Sequence, residues 1–257
     1  MQLPDVIDRV RPSVVQIRRI VPGQLPSGQT IGTGFIVVDT EHVVTALHVV
    51  EAVNLSAGES VHVALAAPNV DTPELKMRAN FSQYEGKVVG TDKDQDLALI
   101  HVPQLNGPGF RVQFGPKLIE AKPVAAKLNT SPLREGVELA VSGYPLAEPS
   151  LITNVGILAS TFTLNNNPAQ MCYLGDFTAN PGNSGGPVYT TRDGSVIGVC
   201  VAGKLAPIIG GVGAQTTGLT VIVPAAQVEA LLSANGLQQS TTVAATPRPN
   251  NMRKRRK

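Results

Sequence analysis

Short apolar runs rich in β-branched residues recur along most of this chain, and they constrain its fold more than any other feature. Each run is bounded by Gly, Pro, Asn or Asp, which favour turns. No long helical pattern separates the runs, so the sequence predicts an all-β barrel or sandwich. The predicted strands span residues 14–17, 33–38, 42–46, 60–66, 85–90, 97–102, 123–128, 137–142, 154–163, 170–175, 186–190, 195–202 and 216–223.

Short helices are predicted at both ends of this β region. Residues 4–11 place their apolar side chains on one face before Pro12, which ends a helix. Residues 224–234 begin with Pro224, which suits a first helical turn, and also carry one apolar face. The spans 21–30 and 67–84 are polar and rich in Pro, so we expect loops there.

The composition divides the chain near residue 235. Residues 1–235 hold 15 of the 21 basic residues against all 19 acidic ones, a formal charge of −4, and offer no basic surface for nucleic acid. Residues 236–257 lack a hydrophobic period and end in a basic cluster, so we expect a disordered tail, to which any nucleic-acid contact would belong. We therefore expect one domain over 1–235.

Targeting signals and metal-ligand spacings are not visible in the sequence. Met1 is not followed by a basic and apolar leader, and no apolar run approaches the roughly 20 residues of a membrane span. The two cysteines, Cys172 and Cys200, fit buried thiols, although a single disulfide stays open. We expect a cytoplasmic protein that needs no metal and no other cofactor.

Ser184 lies in the glycine-rich run Pro181-Gly182-Asn183-Ser184-Gly185-Gly186-Pro187, directly before an apolar strand. A serine hydroxyl needs an adjacent base to act as a nucleophile, and its reaction needs N–H donors for the developing oxyanion. Glycines beside the serine let N–H groups converge and let a substrate approach closely. Gly-Ser-Gly alone also occurs in ordinary turns, but the longer run favours a nucleophile.

A base and an orienting carboxylate can be proposed for this serine. His48 ends the strand that contains Thr45, whereas His42, His62 and His101 lie within or beside strands, where a structural role is favoured. A neutral imidazole at a strand end can accept the serine proton. Asp92, Asp94 and Asp96 compete for the carboxylate, and Asp96 is preferred because it directly precedes an apolar strand.

The order His48, Asp96, Ser184 is that of chymotrypsin-like enzymes. Thr45-Ala46-Leu47-His48, Asp96-Leu97-Ala98-Leu99 and the Ser184 run resemble the trypsin-like peptidase superfamily, and Gly32-Thr33-Gly34-Phe35 is similar to a strand of its HtrA/Deg members. The resemblance covers about residues 5–232. It implies a chymotrypsin-like fold of two six-stranded antiparallel β-barrels, with a boundary near 115–122, and a serine endopeptidase with a His48–Asp96–Ser184 triad.

The same resemblance implies the remaining site residues. The N–H groups of Gly182 and Ser184 would form the oxyanion hole. Residues 199–203 would pair with the substrate as an edge strand, and Thr178, Val201, Ala202 and Gly203 would line the specificity pocket. No acid occupies these positions, so a small or medium apolar residue is expected on the acyl side of the cleaved bond (P1).

Departures from the family limit what it implies. No PDZ domain is recognised after residue 235 and the 21–30 loop is short, so we expect no PDZ-mediated partner and a monomer or small oligomer acting on polypeptides. Two other hypotheses stay open at this point: a catalytically silent peptide-binding protein on the same fold, and a viral polyprotein-processing peptidase.

Overall fold

The computed structural model of the chain is built mainly of β-strands. It describes residues 1–23, 28–66, 83–107, 110–114, 117–163, 167, 170–207 and 214–238. The tail predicted at 236–257 lies outside the described residues from position 239 on. The same holds for most of the excursion predicted at 67–84, and for positions 24–27 of the predicted 21–30 loop.

The first six strands close into an antiparallel barrel in the order β1-β2-β3-β6-β5-β4. Its strand β6 is buried at four of its five positions, because one face lies in the barrel and the other meets helices. This explains why Leu97–Ile100 is continuously apolar. The strands are β1 (Val14–Ile20), β2 (Gln29–Val37), β3 (His42–Ala46), β4 (Ser60–Leu65), β5 (Gln83–Asp92) and β6 (Leu97–His101).

A two-stranded hairpin follows the first barrel, formed by β7 (Phe110–Phe114) and β8 (Lys117–Ala121). The sequence analysis did not predict it. The strand predicted at 123–128 is wrong, because the only β-bridge there is that of Leu128 with Val196. This segment donates single hydrogen bonds to separate elements, from Val124 to Pro12 and from Ala126 to Ile36, so it joins no ladder.

The second barrel contains the last six strands, in the order β10-β11-β14-β13-β12-β9. With the first barrel it confirms the predicted fold of two six-stranded antiparallel barrels, and it excludes the sandwich. Its strands are β9 (Glu138–Gly143), β10 (Ile152–Thr163), β11 (Met171–Asp176), β12 (Pro187–Thr190), β13 (Val196–Pro207) and β14 (Ala214–Pro224).

Three α-helices accompany the barrels in the described residues: α1 (Leu3–Val10), α2 (Leu47–Glu51) and α3 (Ala225–Ala234). The helices predicted at the two ends are thereby confirmed to within one residue at each terminus. Helix α3 buries Val228, Leu231 and Leu232 and contacts β6, β5 and β13. No helix in the described part of the chain is long and apolar enough to cross a membrane.

The core is aliphatic and continuous between the barrels. One cluster joins Val43 and Leu99 of the first barrel to Tyr189 and Val199 of the second, so the site between the barrels is held by packing from both sides. Cys172 and Cys200 are buried and unbridged. Burial raises the pKa of both thiols, that of Cys200 to about 12, which keeps Cys200 protonated near neutral pH.

Candidate active site

His48 and Asp96 are brought together by the pairing of β3 with β6. Ala46 lies opposite Leu97 in this ladder, so the residues just beyond the pair, His48 in α2 and Asp96 before β6, meet at one barrel end. The Leu47 N–H donates to the Asp96 carbonyl over 2.9 Å. Asp96 has a left-handed φ of 53°, a conformation that Asp tolerates better than most residues.

The Asp96 carboxylate holds His48 at two points. Its Oδ1 accepts from the His48 backbone N–H over 2.9 Å, and its Oδ2 lies 2.6 Å from the ring Nδ1. A short Nδ1–carboxylate contact assigns the proton to Nδ1 and leaves Nε2 as the free ring nitrogen. Asp96 therefore fixes both the orientation and the tautomer that a general base in this position requires.

The groups around His48 change the pKa of its ring. The hydrogen bond to Asp96 raises its pKa, desolvation opposes this, and the negative charges of Asp96 and Glu51 raise it further. The net effect is a raised pKa. The side chains of His48 and Asp96 are 48% and 36% exposed, so the ring edge is accessible to a substrate.

Three of the other residues considered for these roles have structural partners of their own. The Asp92 carboxylate accepts from the N–H groups of Asp94 and Gln95 and caps the turn before Asp96. His42 lies 2.9 Å from an Asp39 oxygen, and His101 lies 3.2 Å from one of Glu41. In the described part of the chain, no three His, Cys, Asp or Glu side chains are grouped to hold a metal ion.

Ser184 lies in a tight turn between β11 and β12 that needs glycine at two places. Gly182 and Gly185 have φ values of 101° and 85°, which a residue with a Cβ adopts only with strain. A side-chain carbon at Gly182 would collide with the Tyr144 carbonyl, and one at Gly185 with the Thr33 carbonyl. The turn is therefore pressed against both barrels and could not form with larger residues there.

The Ser184 hydroxyl donates to the Val201 carbonyl over 3.3 Å. No hydrogen bond between Ser184 and His48 is present among the described residues. The predicted triad is thus assembled in part: the structure pairs the His48 ring with Asp96, and it directs the Ser184 hydroxyl toward β13. Reaction of Ser184 with His48 as base requires the Ser184 hydroxyl to leave the Val201 carbonyl and donate to His48 instead.

The predicted oxyanion donors, Gly182 and Ser184, lie in the same turn. Neither backbone N–H donates a hydrogen bond to any of the residues described, whereas the Asn183 and Gly185 N–H groups donate to Asn180 and Cys200. Unpaired N–H donors at a glycine turn can bind an oxyanion. The arrangement can therefore offer two donors beside the Ser184 hydroxyl.

The predicted pocket residues lie on two adjacent segments. Val201 is buried, Ala202 and Thr178 are exposed, and Gly203 is half-buried. A side-chain carbon at Gly203 would lie 2.8 Å from the Ala179 carbonyl oxygen, so the two segments approach closely. Ala202 and Gly203 pair with β14 on one side. On the other side, the ladder between β13 and β12 ends at Val199.

One residue near the serine was not proposed as functional from the sequence. Thr33 is fully buried and contacts the Ser184 turn through both its N–H and its hydroxyl. The available signal was a threonine between Gly32 and Gly34 in the strand that resembles the HtrA family. The contacts join residues about 150 positions apart, which no local pattern reports.

Comparisons with known proteins agree with this geometry. A family model described as a trypsin-like peptidase domain matches residues 32–199. The chain is 30% identical over 205 residues to serine protease HTRA1A of Danio rerio, covering 77% of this chain and 36% of the relative. It is 26% identical over 239 residues to a probable periplasmic serine endoprotease DegP-like of Pseudomonas putida, covering 77% of this chain and 43% of the relative.

The fold is also similar to that of a solved structure of an HtrA-type protease with a tripeptide. The TM-score is 0.61 at 18% identity, covering 91% of this chain and 63% of the other. The chain spans less than half the length of the two curated relatives.

Proposed function

The chain belongs to the trypsin-like peptidase domain family, and on that premise we propose that it is a serine endopeptidase acting through His48, Asp96 and Ser184. The observation that carries the proposal is the 2.6 Å contact between His48 Nδ1 and Asp96 Oδ2 at the end of the first barrel. This contact leaves His48 Nε2 free to act as a base for the serine of the second barrel.

The proposed reaction begins with attack of the Ser184 Oγ on the carbonyl carbon of the cleaved bond. His48 Nε2 takes the hydroxyl proton, and the carbonyl oxygen becomes an oxyanion bound by the Gly182 and Ser184 N–H groups. His48 then protonates the leaving amine, and the C–N bond breaks to leave an ester on Ser184. Water hydrolyses that ester with His48 again as base, which restores the free serine.

The substrate is proposed to bind as an extended chain beside residues 201–203. Ala202 and Gly203 pair with β14, whereas the ladder between β13 and β12 ends at Val199. An unpaired backbone edge of this kind can add a peptide strand. The Ser184 hydroxyl lies at that edge, on the Val201 carbonyl. A polypeptide running along 201–203 would thus present a carbonyl next to the nucleophile.

A small or medium apolar residue is proposed for P1. Thr178, Val201, Ala202 and Gly203 carry no charge, and the close approach of Gly203 to the Ala179 carbonyl narrows the space between the segments. Cleavage-site profiling on a peptide library should therefore favour residues such as Ala and Val. A preference for Arg or Lys contradicts this part of the proposal.

A Gly203→Val variant tests the location of the pocket. A valine Cβ would lie 2.8 Å from the Ala179 carbonyl oxygen, so the two pocket segments must shift to accommodate the side chain. Cleavage after medium residues should therefore fall at least about tenfold relative to cleavage after Ala. An unchanged ratio between the two substrates argues that P1 binds elsewhere.

Peptide binding without cleavage is the second candidate function. It is favoured by the bond of the Ser184 hydroxyl to Val201, which withholds the hydroxyl from His48. A fluorophosphonate probe separates the two functions, because it labels only an activated serine. The peptidase proposal requires labelling of the wild type and none of Ser184→Ala; an unlabelled wild type that still binds peptides supports the silent alternative.

A further inference from the structure

The turn of residues 181–184 is held by a hydrogen bond to each of its four carbonyl oxygens. All four donors lie outside the four residues, and they come from both barrels. The bonds are Leu146 N–H to Pro181 over 2.7 Å, Thr33 Oγ1–H to Gly182 over 2.6 Å, Gly186 N–H to Asn183 over 2.9 Å and Thr33 N–H to Ser184 over 2.9 Å.

Fixing these carbonyls fixes the direction of the N–H groups. A trans peptide is planar, with its N–H pointing opposite to its carbonyl. The Pro181 carbonyl and the Gly182 N–H share one peptide, and the Asn183 carbonyl and the Ser184 N–H share another. The two proposed oxyanion donors are therefore oriented by partners of the adjoining carbonyls, since neither N–H has an acceptor of its own within the described residues.

Thr33 donates two of the four bonds, and the one from its hydroxyl is the only one of the four that comes from a side chain. Its hydroxyl donates to Gly182 and accepts from the Tyr144 N–H over 3.0 Å. Thr33 is fully buried, and its carbonyl accepts from the Thr45 hydroxyl over 2.7 Å, so β2 and β3 together hold it. One hydroxyl thus joins β2 to the Ser184 turn and to the residue after β9.

Tyr144 connects this hydroxyl to the bond on the Pro181 carbonyl. It directly precedes the turn Pro145–Ala147, in which Leu146 has a left-handed φ of 57°. That uncommon conformation belongs to the residue whose N–H reaches Pro181. Loss of the Thr33 hydroxyl would release the Gly182 carbonyl and the Tyr144 N–H together, and with them the peptides on both sides of Gly182.

We infer that Thr33 is a positioning residue: its hydroxyl holds the Gly182–Asn183 peptide directly and, through Tyr144, the Leu146 donor to the adjoining Pro181–Gly182 peptide, and it thereby keeps the Gly182 N–H available to an oxyanion. The expected effect on kcat rests on the proposed function. The expected effect on the orientation of the turn rests on the hydrogen bonds alone. Thr33 does not contact substrate; it acts through the turn.

The test compares Thr33→Val, which keeps the shape and removes the hydroxyl, with Thr33→Ser, which keeps the hydroxyl. Loss of a full oxyanion donor lowers kcat about 10²–10³-fold, so misorientation in Thr33→Val should lower kcat about 10- to 100-fold, with KM within about twofold. Thr33→Ser should stay within about threefold of wild type. Wild-type kcat in Thr33→Val, or an equal loss in Thr33→Ser, overturns the inference.

Thr190→Val is the matched control. Thr190 is also buried and its hydroxyl bonds to Asp193 over 2.6 Å, but it lies at the far end of β12. The kcat of Thr190→Val should stay within about twofold of wild type. If Thr190→Val loses as much kcat as Thr33→Val, the loss is a general effect of removing a threonine hydrogen bond, and the inference is overturned. If Thr33→Val does not fold, Thr33→Ala in the same assays replaces it.

Crystal structures of the wild type and of Thr33→Val separate this inference from the proposed function. If the wild type is not labelled by a fluorophosphonate, the proposed function fails, and the structures alone decide about Thr33. A turned Pro181–Gly182 peptide in Thr33→Val, which would redirect the Gly182 N–H, supports the positioning role. An unchanged peptide orientation overturns it, whatever the activity.

Discussion

The two barrels contribute to the site in different ways. The first barrel supplies His48 and Asp96, which are held by side-chain hydrogen bonds and are partly open to solvent. The second supplies the Ser184 turn, which is held by three backbone hydrogen bonds and the Thr33 hydroxyl. The turn is packed so closely that a side chain at Gly182 or Gly185 would collide with a carbonyl oxygen. The first arrangement can be changed by altering charge, and the second by altering volume or a single hydroxyl.

The comparison also separates what is preformed from what must move. The His48–Asp96 contact is already short at 2.6 Å, so little reorganisation of the base is needed before reaction. The Ser184 hydroxyl is bound to Val201 instead. The moving part is therefore one hydroxyl in the second barrel, and its rotation is the step that joins the contributions of the two barrels.

The largest effect is expected from removing either end of the proposed proton transfer. His48→Ala and Ser184→Ala should each lower kcat by about 10⁶-fold, because nucleophile and base act as a unit. The double variant should be no slower than either single variant. Steady-state kinetics on one peptide substrate measures all three. A double variant slower by the product of the single effects would mean that the barrels contribute independently.

Asp96→Asn tests the orienting role of the carboxylate. It should lower kcat by about 10⁴-fold, because an amide can hold the wrong tautomer of His48. It also removes the largest cause that raises the His48 pKa. The residual activity is measured as kcat/KM against pH.

The sign of the pH effect follows from the base role. His48 must be neutral to accept a proton, so wild-type activity falls as pH drops through its raised pKa, above the ordinary value of about 6.5. In Asp96→Asn this acidic limb should move to lower pH. If the acidic limb of the kcat/KM profile lies at the same pH in Asp96→Asn as in the wild type, the assignment of Asp96 as the partner of His48 is contradicted.

The difference between the barrels also explains which parts of the fold and of the site could be predicted from the sequence. His48 and Asp96 each adjoin an apolar strand, so local patterns singled them out as candidates. Their meeting depends on the pairing of β3 with β6, which the structure shows. The Ser184 run was recognised by its glycines. Thr33 was not, because its bonds to Gly182 and Tyr144 depend on how the barrels dock, and docking leaves no periodic signal in the chain.

The errors in predicted strands have the same origin. Residues 123–128 favour an extended backbone, but the N–H groups of Val124 and Ala126 bond to separate elements rather than to one neighbouring strand. The hairpin of Phe110–Phe114 and Lys117–Ala121 was missed, although Phe110, Val112 and Phe114 alternate with polar residues. Local propensity indicates extension, whereas pairing is decided by the partner strand.

Gly185→Ala should destabilise the second-barrel turn by about 2–4 kcal/mol, from a positive φ and from collision with the Thr33 carbonyl. Gly136→Ala is the matched control, because Gly136 has the same φ of 85° and no atom within 4 Å of the added carbon. It should cost only about 1 kcal/mol. Denaturant unfolding measures both, and equal losses would show that backbone strain, rather than packing at the site, restricts Gly185.

The smallest effect concerns two buried tyrosines where the barrels pack together. The Tyr144 hydroxyl has no hydrogen-bond partner within the described residues, whereas that of Tyr189 lies 2.8 Å from Ser142 Oγ. Tyr144→Phe should leave the free energy of unfolding unchanged or raise it by up to about 1 kcal/mol, because it removes an unpaired buried group. Tyr189→Phe should lower it by about 1 kcal/mol, because it breaks the bond to Ser142 Oγ, which then keeps only its bond to Thr153.

If the two variants unfold with the same dependence on denaturant concentration, their denaturation midpoints give the difference in their free energies of unfolding directly. Tyr144 is the residue whose N–H binds the Thr33 hydroxyl, and its side chain and backbone therefore make separable contributions. If Tyr144→Phe is stable and its kcat is unchanged, the turn depends on the backbone of Tyr144 alone, as a site held by backbone hydrogen bonds requires. A loss as large as that of Tyr189→Phe would mean that the Tyr144 hydroxyl is bonded in solution, and that the packed interface between the barrels also contains a polar contact.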